Sequence, residues 1–215
     1  MLDNDRSSTR PDHALDEATV PADPLALFRD WFEVALATDM GPGFDPTAMT
    51  LATADDAGAP SARMVLLKEH DENGFVFYTH YASRKSRELA SNPRAALVFY
   101  WPALKRQVRI AGTVSKVGRD QSQQYFQSRE RGSQLSAAVS PQSRVIGGLD
   151  ELEAQRRRLE AKCAGGPIDC PPDWGGYRLG PEEMEFWLSR PERLHDRLRY
   201  SRKADGTWLI ERLAP

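Results

Sequence analysis

The residues with most capacity for chemistry fall in a few short stretches. In ASRKSREL, residues 82–89, Arg84 and Lys85 follow Ser83, a type that caps helix N-termini. Cations in a first turn oppose the helix dipole, and an anion at the free amides would relieve that conflict. A phosphate site and a solvated basic turn both fit these residues. In RMVLLK, residues 63–68, Arg63 and Lys68 bracket Met64, Val65, Leu66 and Leu67. Five positions apart, the two cations face opposite ways on a straight strand. Two different ligands, strand-end effects or plain strand-end solvation would each account for them. RQVRIAG, residues 106–112, puts Gln107, Arg109 and Ala111 on one strand face and Val108 and Ile110 on the other. There Gln107 can bond a ligand edge or a neighbouring backbone. QQYFQSRERGSQ, residues 123–134, spaces Tyr125, Arg129 and Ser133 by four, one stripe of a helix. A phenol, a guanidinium and a hydroxyl suit a phosphate dianion; a solvated helix face fits as well, and Gly132 can break the helix. Finally, ERLHDRLRY, residues 192–200, alternates Arg193, His195, Arg197 and Arg199, so a strand would align all four on one face. Trp187, in the preceding EFW, reads by itself as core.

Other chemistries find no support. There is no P-loop, no G-x-G-x-x-G after a strand, no H-E-x-x-H and no G-x-S-x-G elbow. The 4 histidines have no ligand spacing, so no metal is expected. With 29 Lys+Arg against 31 Asp+Glu, bulk charge gives no reason to expect nucleic-acid or membrane binding. Cys163 and Cys170, in a Gly/Pro-rich loop, are expected as free thiols. No apolar leader or spanning segment is read, which makes the cytoplasm the expected location.

The elements that must position these groups are mostly strands. Residues 1–20 are polar and aperiodic and are expected to be a disordered arm. Asp23 and Pro24 then open a helix whose apolar face is Leu25, Phe28, Phe32, Ala35 and Leu36, ending before Gly41-Pro42-Gly43. Strands are expected over 48–55, 61–70, 74–80, 95–101 and 106–117, with a short helix in SRKSRELAS. Helices are expected at 119–128 and 149–163, the second with a Glu153–Arg157 pair. Three more strands follow, at 175–179, 183–188 and 194–202, and TWLIERL closes the chain. Short turns between strands imply antiparallel pairing. The fold class is mainly β with peripheral helices (α+β), an antiparallel barrel, with residues 21–215 as a single domain.

In this order, RMVLLK, FVFYTHYASRK, RQVRIAG, YFQSRERGSQ, WGGYRL, EFW and ERLHDRLRY resemble the pyridoxamine (pyridoxine) 5′-phosphate oxidase family, from about residue 23 to the terminal ERLAP. The resemblance implies an FMN-binding split β-barrel, working as a homodimer with its sites at the subunit interface. It implies FMN contacts from Arg63, Met64, Val65, Leu66, Leu67, Lys68, Tyr78, Thr79, Arg84, Lys85, Gln107, Trp187 and Arg197. Gln142 and Ser143 match positions supplied by the partner subunit. Lys68, Tyr125, Arg129 and Ser133 would hold the substrate phosphate, with Arg193 and His195 beside the pyridine ring and Arg193, His195 and Arg197 as the catalytic set. The family reaction oxidises the 4′ carbon of pyridoxamine or pyridoxine 5′-phosphate to the aldehyde, passing a hydride to the flavin and then electrons to O2, with H2O2 released. The family's basic, Tyr-containing N-terminal segment has no close counterpart here, where the arm offers Arg10 and His13 but no Tyr. A phenazine-type split-barrel oxidase would share ends like RLHDRLRY, but an unphosphorylated aromatic acid would not need the phosphate cradle. A non-catalytic FMN- or haem-binding split barrel would need neither the cradle nor the Arg193/His195 pair.

Overall fold

The computed structural model describes residues 15–215. Of the arm expected over residues 1–20, residues 1–14 lie outside that range. Residues 15–20 are not loose. Leu15 is buried, and Arg212 donates to its carbonyl at 2.7 Å and to Glu17 Oε2 at 2.6 Å.

The described residues form five α-helices and nine strands. In chain order these are α1 (Pro24–Ala37), β1 (Ala48–Ala54), β2 (Pro60–Leu66), β3 (Glu69–Asp71), β4 (Gly74–His80), α2 (Arg84–Ser91) and β5 (Arg94–Trp101). There follow β6 (Arg106–Lys116), α3 (Arg119–Ser128), α4 (Arg131–Val139), α5 (Leu149–Cys163), β7 (Trp174–Leu188), β8 (Asp196–Arg202) and β9 (Trp208–Arg212). The sheet order is β2-β1-β5-β6-β7-β4-β3, with β8 on β7 and β9 on β8. The pairs β1–β2, β1–β5, β3–β4, β4–β7, β7–β8 and β8–β9 are all antiparallel. Contacts group the chain into two compact units. One takes the described residues up to Pro46 with Tyr100–Arg109 and Glu183–Pro215; the other takes Thr47–Phe99 and Ile110–Glu182.

In the first unit, the Asp23 carboxylate accepts from the Leu25 amide at 3.0 Å and Pro24 opens α1, as the sequence predicts. Leu25, Phe28, Phe32 and Ala35 are buried, but Leu36 is 54% exposed. Leu27 and Trp31 complete the buried face instead, because the stripe drifts with the 3.6-residue turn. Trp31 meets Phe186 edge-on at 5.3 Å, and Phe28 and Phe32 pack on Trp101. Here 183–188 is the end of β7, not a separate strand: β7 continues from Trp174 to Leu188.

The second unit carries most of the predicted site residues. Alternation along β1 buries Met49, Leu51 and Thr53. Phe75, Val76 and Phe77 of β4 are fully buried. The segment expected as one strand over 61–70 is two. The Leu67 amide bonds Thr47 O, and the next amide, Lys68, bonds Val76 O on β4. The chain changes partner between them, which period-2 patterning cannot reveal. Two positions of β7 depend on missing side chains. A Cβ on Gly176 would lie 2.8 Å from the Tyr78 ring, and one on Gly175 would lie 2.3 Å from the Tyr81 hydroxyl. The two glycines of WGGY thus let these rings lie against the backbone of β7. Cys163 and Cys170 are free, and Arg157 pairs with Glu153 at 3.6 Å.

Candidate functional site

A cavity of about 410 Å³ opens in the second unit, within the roughly 300–1,000 Å³ typical of small-molecule sites. It gathers ten of the predicted residues: Met64, Val65, Leu66, Lys68, Tyr78, Thr79, Lys85, Tyr125, Arg129 and Gln142. β2 delivers the apolar run, β4 delivers Tyr78 and Thr79, α2 delivers Lys85 in its first turn, and α3 delivers Tyr125.

Lys85 is a buried cation held by neutral acceptors. Its ammonium donates to Thr79 Oγ1 and to Gln142 Oε1, both at 3.0 Å, and Ser83 Oγ lies at 3.5 Å. Burial, with the Arg63 charge adding and Glu88 opposing, brings its pKa down to about 8. A dianion reaching this ammonium would gain a charge-assisted bond in a low-dielectric place. Gln142, whose position the resemblance assigns to the partner subunit's site, has a carboxamide that reaches Thr79 and Lys85 of the same chain. The Thr79–Gln142 hydrogen bond of 2.9 Å folds the segment after α4 back onto β4. Ser143, beside it, is exposed, at φ +69°.

A slab of aromatics forms another wall. Tyr78 stacks on Tyr125 with centroids 3.9 Å apart, and both lie nearly parallel to Trp174, at 5.5 and 6.2 Å. The Tyr78 hydroxyl donates to Glu69 at 2.8 Å, and burial together with that carboxylate raises its pKa. Burial likewise raises the Tyr125 pKa, so both phenols stay protonated donors. The Arg129 guanidinium lies over Trp174, 5.1 Å from the ring centre. Its Nη1 is buried without a hydrogen-bond partner. A buried guanidinium nitrogen left unpaired is costly, and an anionic ligand in this cavity would supply what it lacks.

The stripe Tyr125–Arg129–Ser133 is not one helix. α3 ends at Ser128, Arg129 caps it in extended conformation, and α4 starts at Arg131. The break falls before Gly132, and Ser133 sits in the first turn of α4, outside the cavity lining. Leu67 is buried in the core. Arg63 and Arg84 do not line the cavity either. Both are taken by Glu88, whose Oε2 accepts from Thr53, Ser61 and Arg63 and whose Oε1 accepts from Arg84 at 2.8 Å. These bonds hold the buried Glu88 pKa down, at about 2.

The remaining predicted residues belong to the first unit. The four-toothed comb does not exist as one strand face. Pro191–Arg193 is a tight 3₁₀ turn, with Glu192 and Arg193 at φ +56° and +62°, and β8 starts only at Asp196. Arg193 is therefore exposed on a turn. His195 precedes the strand, 4.6 Å from Trp187 between ring centres, and its Nδ1 accepts from the Arg190 amide at 3.1 Å. Arg197 and Arg199 alone share β8. Arg197 Nε donates to buried Glu185 at 2.9 Å, and Arg109 donates to the other Glu185 oxygen at 3.1 Å. Arg199 pairs with Glu211 at 2.7 Å. Gln107 is half-buried on β6, where Val108 and Ile110 are buried as the alternation predicts.

Sequence reasoning missed His80, Ser136, Ala137, Ser140 and Trp174 in the cavity lining, and Glu88 and Glu185 behind the predicted arginines. Trp174 had a signal, the WGGY glycines, but reads as ordinary core. Glu88 had one too, since it stands four residues after Arg84 on a helix. Among the described residues, no group of three or more His, Cys, Asp or Glu could hold a metal ion, and no helix is long and apolar enough to cross a membrane.

The description "Pyridoxamine 5′-phosphate oxidase" matches residues 44–163, and "Pyridoxine 5′-phosphate oxidase C-terminal dimerisation region" matches residues 174–215. A Pseudomonas paraeruginosa protein named pyridoxine/pyridoxamine 5′-phosphate oxidase is 52% identical over 215 residues, covering 100% of this chain and 98% of its own. A Ralstonia pickettii protein of the same name is 52% identical over 209 residues, 96% of this chain and 97% of its own. Among solved structures, PhzG from Burkholderia lata 383, in complex with tetrahydrophenazine-1-carboxylic acid, matches with a TM-score of 0.86 at 31% identity, over 94% of this chain and 98% of PhzG. A pyridoxamine 5′-phosphate oxidase-related, FMN-binding protein from Nostoc punctiforme matches with a TM-score of 0.70 at 19% identity, over 87% and 97%, a likeness of fold alone. The architecture is that of the FMN-binding split β-barrels. The chain belongs to the pyridoxamine 5′-phosphate oxidase family.

Proposed function

We propose that this protein is an FMN-dependent oxidase, acting as a homodimer, that converts pyridoxamine 5′-phosphate and pyridoxine 5′-phosphate to pyridoxal 5′-phosphate, with O2 as acceptor, H2O2 as by-product and, from the amine, ammonia released on hydrolysis by water. The observation that carries this reading is the charge of the cavity. Lys68, Lys85 and Arg129 line one space with three aromatic rings, and Arg129 Nη1 has no partner there. Two phosphate-bearing aromatic ligands would match that wall. PhzG, a solved structure to which the chain is similar, was crystallised with an unphosphorylated acid, which would not need Lys68 and Arg129 for a phosphate. The family's C-terminal dimerisation region supports the homodimer.

The residues fit FMN. Lys85, with Thr79 and Gln142 fixing its ammonium, would hold the flavin phosphate, and residues 64–66 of β2 would lie along the ring system. When bound, FMN supplies the two-electron acceptor and the route of electrons to O2. The chain's own part is binding and orientation. Lys68, Tyr125 and Arg129 would take the substrate phosphate, with Tyr125 as a neutral donor because burial raises its pKa. Arg193 and His195 keep the substrate role that family membership implies, and Arg197 the flavin role. Glu185 shares the Arg197 charge, so Arg197 acts as an oriented donor more than as a free cation.

Titration with FMN, followed by turnover assays on both 5′-phosphates, on unphosphorylated pyridoxine and on a reduced phenazine carboxylic acid, tests this. The expected result is stoichiometric flavin binding and aldehyde formation from the 5′-phosphates only. Preferential turnover of the phenazine would replace the proposal with the PhzG-like alternative.

A further inference from the structure

Trp174 is buried at 5% exposure, yet its ring lines the cavity and carries the Arg129 guanidinium on one face. Arg129 has little else to aim it. It is the cap residue after α3, at φ −75° and ψ 152°, so the helix does not set its direction. Its backbone is pinned, because Gln134 Nε2 donates to the Arg129 carbonyl at 2.9 Å. Burial lowers the guanidinium's pKa, so its surroundings discourage the charge that the ring face favours.

The ring is itself held from two sides. Tyr78 and Tyr125 stack parallel to it and Phe126 meets it edge-on at 5.2 Å. Below, Arg119 clamps the loop that ends in Trp174. Its Nη2 donates to Cys170 O at 2.5 Å, and its Nη1 to Pro171 O at 2.9 Å and Trp174 O at 3.0 Å. Three carbonyls on one planar fork fix a loop more tightly than one lysine could. Arg119 opens α3 and Arg129 caps it, so one helix holds the loop at its start and presents the guanidinium at its end.

We propose that Trp174, clamped by Arg119, is a positioning residue that aims Arg129 at the substrate's phosphate and so sets the preference for phosphorylated over unphosphorylated substrates. This rests on the function proposed above. An ordinary core tryptophan would stabilise the unit without altering that preference.

The test compares wild type with Trp174→Leu, Trp174→Phe and Arg119→Lys in the FMN-loaded protein. Equilibrium binding of pyridoxal 5′-phosphate and of pyridoxal gives the phosphate preference without turnover, and KM and kcat for pyridoxine 5′-phosphate show on which parameter a loss falls. Trp174→Leu is expected to lower the preference about tenfold, the size of one partly desolvated cation–π contact, by raising KM with kcat little changed. Trp174→Phe, which keeps a ring face, should recover most of it, and Arg119→Lys should lose part. If Trp174→Leu does not fold, the order wild type, Trp174→Phe, Arg119→Lys carries the test. An unchanged preference in the folded variants overturns the role of Trp174. A wild type that binds both ligands alike overturns the reading of the site itself.

Discussion

Replacing Glu88 should do two separate things. Its carboxylate is 7% exposed and collects Thr53, Ser61, Arg63 and Arg84. Removing one partner of a buried pair costs about 3–5 kcal/mol. Arg84 is 60% exposed and Arg63 21%, so solvent screens part of that, and we expect about 2–3 kcal/mol for Glu88→Ala. At about 2–4 °C per kcal/mol for a chain of this size, Tm should fall by about 4–12 °C. Glu88→Gln keeps an acceptor and should lose about half as much, near the difference between charged and neutral hydrogen bonds. The Glu88 pKa is depressed from 4.5 to about 2, so its contribution is complete above pH 4.5 and is lost as pH falls towards 2. Glu88→Gln should therefore show a shallower loss of stability across that window. The second effect falls on Lys85, whose pKa Glu88 holds up and Arg63 pushes down. With the carboxylate neutralised, the pH at which phosphate-ligand affinity declines should move below about 8. Thermal melts from pH 2 to 7 and FMN fluorescence titrations from pH 6 to 10 read both. Equal stability of Glu88→Ala and wild type, or an unmoved Lys85 midpoint, would refute this role for Glu88.

Lys85 has a folded pKa of about 8 against 10.5 unfolded, so the unfolded chain binds more protons between those values. FMN-free protein should gain stability as pH rises from 8 to 10.5 while FMN affinity falls, which paired melts and titrations would check. Gly176→Ala drives a Cβ to within 2.8 Å of the Tyr78 ring, and overpacking of that kind costs about 1–3 kcal/mol, read as a lower Tm together with weaker FMN binding. Arg193→Leu, on an exposed turn, should leave Tm and FMN affinity near wild type while cutting kcat for pyridoxamine 5′-phosphate; equal loss of affinity and turnover would contradict that division.

Much of the frame is legible because local signals agree with tertiary ones. Asp23-Pro24 marks the start of α1 chemically, β4 is a near-continuous apolar run, and α3 and α5 span the residues the pattern predicts. What escaped depends on partners that a linear pattern does not encode. The switch of backbone partner at Leu67 and Lys68 sits inside an unbroken strand-like sequence. The comb fails because Glu192 and Arg193 adopt positive φ, which neither residue type announces. Ser133 leaves the stripe because α3 stops at Ser128, four residues before the glycine that would signal it. Arg63 and Arg84 look like free cations until Glu88 folds onto them, since Thr53, Ser61 and Arg63 lie 25 residues or more away along the chain. Trp174 looks like core, and it is core, with one face turned to the cavity.

The proposed function requires this cavity to bring a phosphorylated vitamer together with a flavin. The most direct measurement is anaerobic mixing of FMN-loaded protein with one equivalent of pyridoxamine 5′-phosphate, followed by admission of air. The expected result is bleaching of the flavin absorbance with one pyridoxal 5′-phosphate formed per flavin, then recovery of colour with H2O2 released. A protein that binds no flavin, or a bound flavin that stays oxidised with the phosphorylated amine, would contradict it.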